Sequence, residues 1–142
     1  MPTRIAQAEW TGGLPDGSGR ISVESQAFDT PYSFPSRFES GQGTNPEELL
    51  GASHAGCFSM ALAAALGKAG FKPEQVRTTA RVHLDKQDAG WGVSRIDLDT
   101  SARVPGIDQD RFQEIAAEAK RTCPISRALQ AVEIGLDARL ED

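Results

Sequence analysis

Cysteine and histidine each occur only twice in the chain, and tyrosine once. Two cysteines, Cys57 and Cys123, are too few for a disulfide-dense secreted scaffold. Positive charge is also scarce. Lys and Arg number 15 against 20 Asp and Glu, a formal net charge of −5, and nucleic-acid binding needs a basic face that this balance does not supply. No uninterrupted apolar run approaches the roughly 20 residues of a membrane span; the longest, 56–67, is too short and contains Ser59. Met1-Pro2-Thr3-Arg4 lacks the apolar core of a signal peptide. The expectation is a cytoplasmic protein with no membrane partner. In the cytoplasm a cysteine pair is more often catalytic or redox-sensing than structural.

What is present is enough for one globular domain. The 142 residues are 39% apolar and 25% charged, with no repeat, low-complexity stretch or linker, so a single domain over 1–142 is expected. Residues 3–11 and 20–25 read as strands around the turn signals Gly12-Gly13 and Pro15-Asp16-Gly17. A third strand over 32–38 is broken by Pro35. A long helix then starts at Asn45 as N-cap, with Pro46 in the first helical position and Glu47 and Glu48 in the first turn, and stops after Lys68 at Gly70. It is apolar on most faces, which predicts a central, buried helix. Residues 76–86 and 91–104 read as a hairpin, and Asp108 caps a helix with Phe112, Ile115, Ala116 and Ala119 on one face. A short turn over 124–130 and a strand over 132–140 complete a βββ-α-ββ-α-α-β order. Strands grouped in blocks predict an α+β fold. So much apolar surface for one chain suggests a homodimer.

Each candidate for chemistry has a plain alternative. Cys57, inside the apolar helix, is either a small core residue or a thiol that a cation holds as thiolate. Arg37, between Phe34 and Phe38, is either a surface strand residue or the cation, paired with a carboxylate. Glu47 is that carboxylate, or it serves only the helix dipole. Glu47 and Cys57 are ten residues apart, about 15 Å of helical rise. One site containing both therefore requires a helix break near Gly51 or a second chain. His54, three residues before Cys57, reads mainly as a helix residue without a catalytic task. A zinc site from Cys57, Cys123, His54 and His83 lacks sensible spacing. Cys123, ahead of Pro124, is either inert or activated where the next helix begins.

The run 43–62, from Gly43-Thr44-Asn45-Pro46-Glu47-Glu48 through Ser53-His54-Ala55-Gly56-Cys57-Phe58-Ser59-Met60, resembles the signature of the OsmC/Ohr family of thiol peroxidases. Cys123-Pro124-Ile125-Ser126-Arg127-Ala128-Leu129 resembles its second cysteine motif, and 84–90 and 104–108 resemble the OsmC branch. The resemblance implies an OsmC-like fold, an intertwined homodimer with long central helices and a site at the subunit interface. It implies Cys57 as peroxidatic cysteine, Cys123 as resolving cysteine, Arg37 as catalytic arginine and Glu47 as its partner, with Arg20 a weaker rival to Arg37. It implies reduction of organic hydroperoxides, and of hydrogen peroxide less readily, with no metal or organic cofactor. The expected reductant is an external dithiol, a lipoylated protein or dihydrolipoamide. Phe34, Phe38, Phe58 and Met60 are either core residues or the lining of an alkyl entry. The rival expectation is a non-enzymatic redox sensor or stress-induced binding protein using the same thiols.

Overall fold

The computed structural model describes residues 1–142 and divides into two compact units, Met1–Leu49 and Leu50–Asp142. The first unit begins with an antiparallel meander of β1 (Ala6–Thr11), β2 (Ser18–Val23) and β3 (Asp29–Tyr32). The chain then forms a short helix, α1 (Phe34–Phe38), where the sequence suggests a broken strand. Ser33 is the reason. Its hydroxyl accepts from Ser36 N–H at 3.2 Å while Ser36 Oγ accepts from Ser33 N–H at 2.8 Å, a reciprocal cap. Pro35 falls in the first turn, where a missing N–H costs nothing. Gly43, at φ 109°, occupies the left-handed region that glycine tolerates, and Thr44 N–H next to it donates to Pro31 O at 3.1 Å.

The long helix α2 (Pro46–Lys68) begins where Asn45 predicts. Asn45 Oδ1 accepts from Glu48 N–H at 2.7 Å, and Asn45 Nδ2 donates to Ser36 O at 3.0 Å. The other half of the expected capping box is absent, because Glu48 Oε2 accepts instead from the Thr44 hydroxyl at 2.9 Å. The helix runs through Gly51 without a break. A Cβ there would stand 3.3 Å from Val82 Cγ2, so glycine allows close approach to the neighbouring strand.

The second unit is a sheet with helices. β4 (Gln75–Gln87) and β5 (Gly90–Arg103) form the expected hairpin, and β6 (Glu133–Glu141) adds parallel to β5. A parallel neighbour needs a crossover, supplied by α3 (Gln109–Thr122) and α4 (Pro124–Ala128). The expected turn after Cys123 is thus a helix of one and a half turns, with Pro124 in its first position. Every second residue of β5 from Ile96 to Ala102 is buried, as a half-covered strand requires. Onto that face pack Phe112, Ile115, Ala116 and Ala119 of α3 and Phe58, Leu62 and Leu66 of α2. The α+β class holds.

The expectation of a wholly buried α2 is corrected. Its buried positions are Gly51, His54, Phe58, Leu62 and Leu66, a single stripe at spacings of three and four. Met60, off that stripe, is 76% exposed. Taken as a whole helix rather than as the apolar run 56–67, α2 is long and apolar enough to cross a membrane by length and composition alone. Phe58 is a core side chain with no exposed surface, so it lines no entry.

Asn45→Ala is expected to destabilise the chain by about 1–2 kcal/mol, because it removes a cap acceptor and a donor to α1 together. Urea unfolding of the two proteins measures this; coincident curves would contradict it.

Candidate active site

In the first unit the structure joins Arg37 and Glu47. Arg37 Nε donates to Glu47 Oε1 at 2.9 Å and Nη2 to Oε2 at 3.0 Å, a two-point fork that fixes the guanidinium plane. The hydrogen bonds to Glu47, opposed by partial burial, raise the Arg37 pKa and secure its charge. Arg37 Cζ also lies 5.2 Å from the centre of the Phe38 ring, which itself packs against Phe34. The helical turn of α1 puts Phe34 and Phe38, four residues apart, on one face, where their rings meet. Arg20, the rival, is on β2 and exposed, with Nε on Asp29 Oδ1 at 2.8 Å.

In the second unit the structure joins the two cysteines. Cys57 Sγ, on α2, and Cys123 Sγ, at the junction of α3 and α4, are 3.1 Å apart as free thiols. A disulfide needs about 2.05 Å, so the sulfurs are in contact but not bonded. Cys123 has no exposed surface, whereas Cys57 is partly exposed. The thiols are not equivalent. Burial pushes the Cys57 thiol up, Cys123 adds to the rise, and the Ile125 N–H opposes it. Burial also works to raise Cys123, but it is outweighed by the Ser126 N–H, the Cys57 thiol, the Ser126 hydroxyl and the Ile125 N–H, which bring Cys123 down. Within this unit Cys123 is therefore the better thiolate, and Cys57 is given no cation by its own unit.

His54 is buried and does not act as that cation. Its Nε2 lies 2.8 Å from Ser126 Oγ, and burial lowers its pKa, keeping the ring neutral. Nδ1 is buried without a partner. His83 Nε2 is engaged 2.9 Å from Asp97 Oδ2 on the sheet. No group of three or more His, Cys, Asp or Glu side chains is placed to hold a metal ion.

His54 carries a pH signature. A ring whose folded pKa lies below the unfolded value of 6.5 takes up more protons when the chain unfolds. Its contribution to stability is complete above that value and is lost as pH falls below it. His54→Gln is expected to show a shallower loss of stability between about pH 6.5 and pH 5 than the unsubstituted chain. Urea melts across that window measure the difference, and parallel pH profiles would contradict it.

Residues 39–137 match the family model described as OsmC-like protein. The chain is 51% identical to a peroxiredoxin OsmC of Escherichia coli over 136 residues, 95% of this chain and 94% of the relative. It is 32% identical to an organic hydroperoxide resistance protein of Xanthomonas axonopodis pv. citri over 126 residues, 87% and 84% of the two chains. Among solved structures, an organic hydroperoxide resistance protein OsmC from Legionella pneumophila superposes with a TM-score of 0.77 at 25% identity, covering 98% of both chains. An OsmC-like protein from Mycoplasma pneumoniae reaches 0.79 at 14% identity over 99% of both, a likeness of fold. The chain belongs to the OsmC-like protein family.

Proposed function

We propose that the protein is a thiol-dependent peroxidase that reduces organic hydroperoxides, and hydrogen peroxide less readily. The observation that carries this reading is the contact between two free thiols 66 residues apart in sequence, sulfurs at 3.1 Å. The names of the relatives support it. Cys57 is the peroxidatic thiol because it is the one with exposed surface; Cys123 is too deeply buried to meet a peroxide first. The Cys57 thiolate attacks the distal peroxide oxygen, the O–O bond breaks, alcohol leaves after protonation, and a sulfenic acid remains on Cys57. Cys123 then attacks the sulfenic sulfur, forming a disulfide and releasing water. An external dithiol, a lipoylated protein or dihydrolipoamide, returns both thiols by exchange.

Arg37, held by Glu47, supplies the positive charge that Cys57 needs to ionise and that the breaking O–O bond needs as it becomes anionic. α2 is unbroken at Gly51, which supports a second chain as the source of the pair that meets Cys57. The exposed outer side of α2, Met60 included, supports a homodimer whose subunits complete each other's sites. This makes 1–142 one domain by function. The cytoplasm, where reduced thiols persist, fits this chemistry.

Arg37→Met is expected to slow single-turnover peroxide reduction about 10²–10³-fold, the loss typical of one preorganised charge-stabilising donor. Stopped-flow Trp fluorescence measures it, and an unchanged rate would remove Arg37 from the site. Cys123→Ser is expected to drive Cys57 to sulfinic and sulfonic acid under excess peroxide, read by intact mass. A variant as resistant to over-oxidation as its parent would end the resolving role. A redox sensor without enzymatic turnover would form the same disulfide but show no catalytic consumption of hydroperoxide with dihydrolipoamide.

A further inference from the structure

α1 is five residues long, too short to keep an orientation as an isolated helix. Yet the Arg37–Glu47 fork closes at two points, which requires α1 to stand at one angle to the start of α2. The fork does not supply that angle. Its side chains are 36% and 14% exposed, and a partly solvated ion pair gains little against the order it demands. The residue before Arg37 supplies it. Ser36 is buried, as is Thr44 opposite it. The Ser36 hydroxyl has one proton and two carbonyls in range, Ser33 O at 3.1 Å and Thr44 O at 2.7 Å. Ser33 O already accepts the Arg37 N–H at 3.2 Å, so the proton goes to the shorter contact with Thr44 O. The Ser36 carbonyl accepts from Asn45 Nδ2 at 3.0 Å. The Asn45 amide has one workable orientation. Its Oδ1 accepts the Glu48 N–H at 2.7 Å, and a flipped amide would set NH2 against N–H and oxygen against oxygen. The Thr44 hydroxyl meanwhile engages Glu48 Oε2, the neighbouring carboxylate.

We propose that Ser36 is a positioning residue for Arg37: bonded through its hydroxyl to Thr44 O and through its carbonyl to Asn45, it holds α1 at the angle that lets the Arg37 fork close on Glu47. This deepens the peroxidase reading and rests on its assignment of Arg37 as the charge that serves Cys57. The Ser36–Thr44, Ser36–Asn45 and Arg37–Glu47 bonds are successive rungs across one gap between α1 and the start of α2. Ser36 touches no peroxide and moves no proton. No local motif marks it, because its partners lie eight and nine residues later.

The test is a double-substitution cycle read by single-turnover oxidation with cumene hydroperoxide. Ser36→Ala is expected to slow oxidation of Cys57 about 10- to 100-fold, the cost of misplacing a group by about 1 Å. Ser36→Thr, which keeps the hydroxyl, is expected to recover most of the rate. In the Arg37→Met background Ser36→Ala is expected to add nothing, because it acts through a group already removed. Losses that multiply would show a structural role only and overturn the proposal, as would a parental rate in Ser36→Ala. Asn45→Ser separates positioning from folding: serine still caps α2 but lacks the amide N–H that reaches Ser36 O. It is expected to slow the reaction in a folded chain, and a parental rate would overturn the part assigned to Asn45. Hydrogen exchange of the Arg37 Nε–H needs no peroxide; nitrogen NMR follows it, and Arg37→Met assigns the signal by its loss. Exchange about tenfold faster in Ser36→Ala and Asn45→Ser is expected as the fork opens more often, and unchanged exchange overturns the proposal. Failure of the peroxidase reading is separate: the unsubstituted chain would oxidise at the rate of a free thiol, while the exchange rates still decided the role of Ser36.

Discussion

The contact between Cys57 and Cys123 is the point on which the second unit converges. It brings together the middle of α2 and the junction of α3 and α4, and each is held there by its own apolar stripe on the sheet. Phe58 and Leu62 anchor α2 beside Cys57, while Phe112 through Ala119 anchor α3 up to Cys123. Pro124 then begins the next helix, so Cys123 sits at the junction of α3 and α4.

The same geometry divides labour between the thiols. Cys123 is fully buried, and its thiol is nonetheless brought down from the ordinary value. Cys57 is partly exposed and pushed up by burial, so the peroxidase role proposed for it calls for a cation to stabilise its thiolate. The Arg37–Glu47 fork is the charge we propose for that task. It is locked at two points and lies against the Phe38 ring, so its guanidinium is already ordered.

Much of this was legible in the sequence where local signals agree. Asn45, Pro46 and Lys68 bounded α2 correctly, and alternation over 76–86 and 91–104 found the hairpin. The family resemblance is confirmed by the match over residues 39–137; of the residues it implies, the structure pairs Arg37 with Glu47 and Cys57 with Cys123. What was missed depended on contacts between distant residues or on ambiguous proline. Pro35 reads equally as a strand breaker and as a helix starter, and the Ser33–Ser36 cap decides between them. Composition marked α2 as apolar all round but could not say which stripe its own chain would cover. His54 looked like a neighbour of Cys57 by its spacing of three, yet its ring partner lies 72 residues away on α4. The parallel pairing of β6 with β5 has no local signature at all.

The most direct test of the central claim is single-turnover oxidation of the reduced protein, with thiols counted by intact mass and rates followed by Trp fluorescence. Cumene hydroperoxide and hydrogen peroxide are compared at equal concentration. The account predicts fast, joint loss of both thiols into one intramolecular disulfide, with the organic peroxide the faster oxidant. Oxidation at the rate of a free thiol with either peroxide, or loss of one thiol without the other, would contradict it.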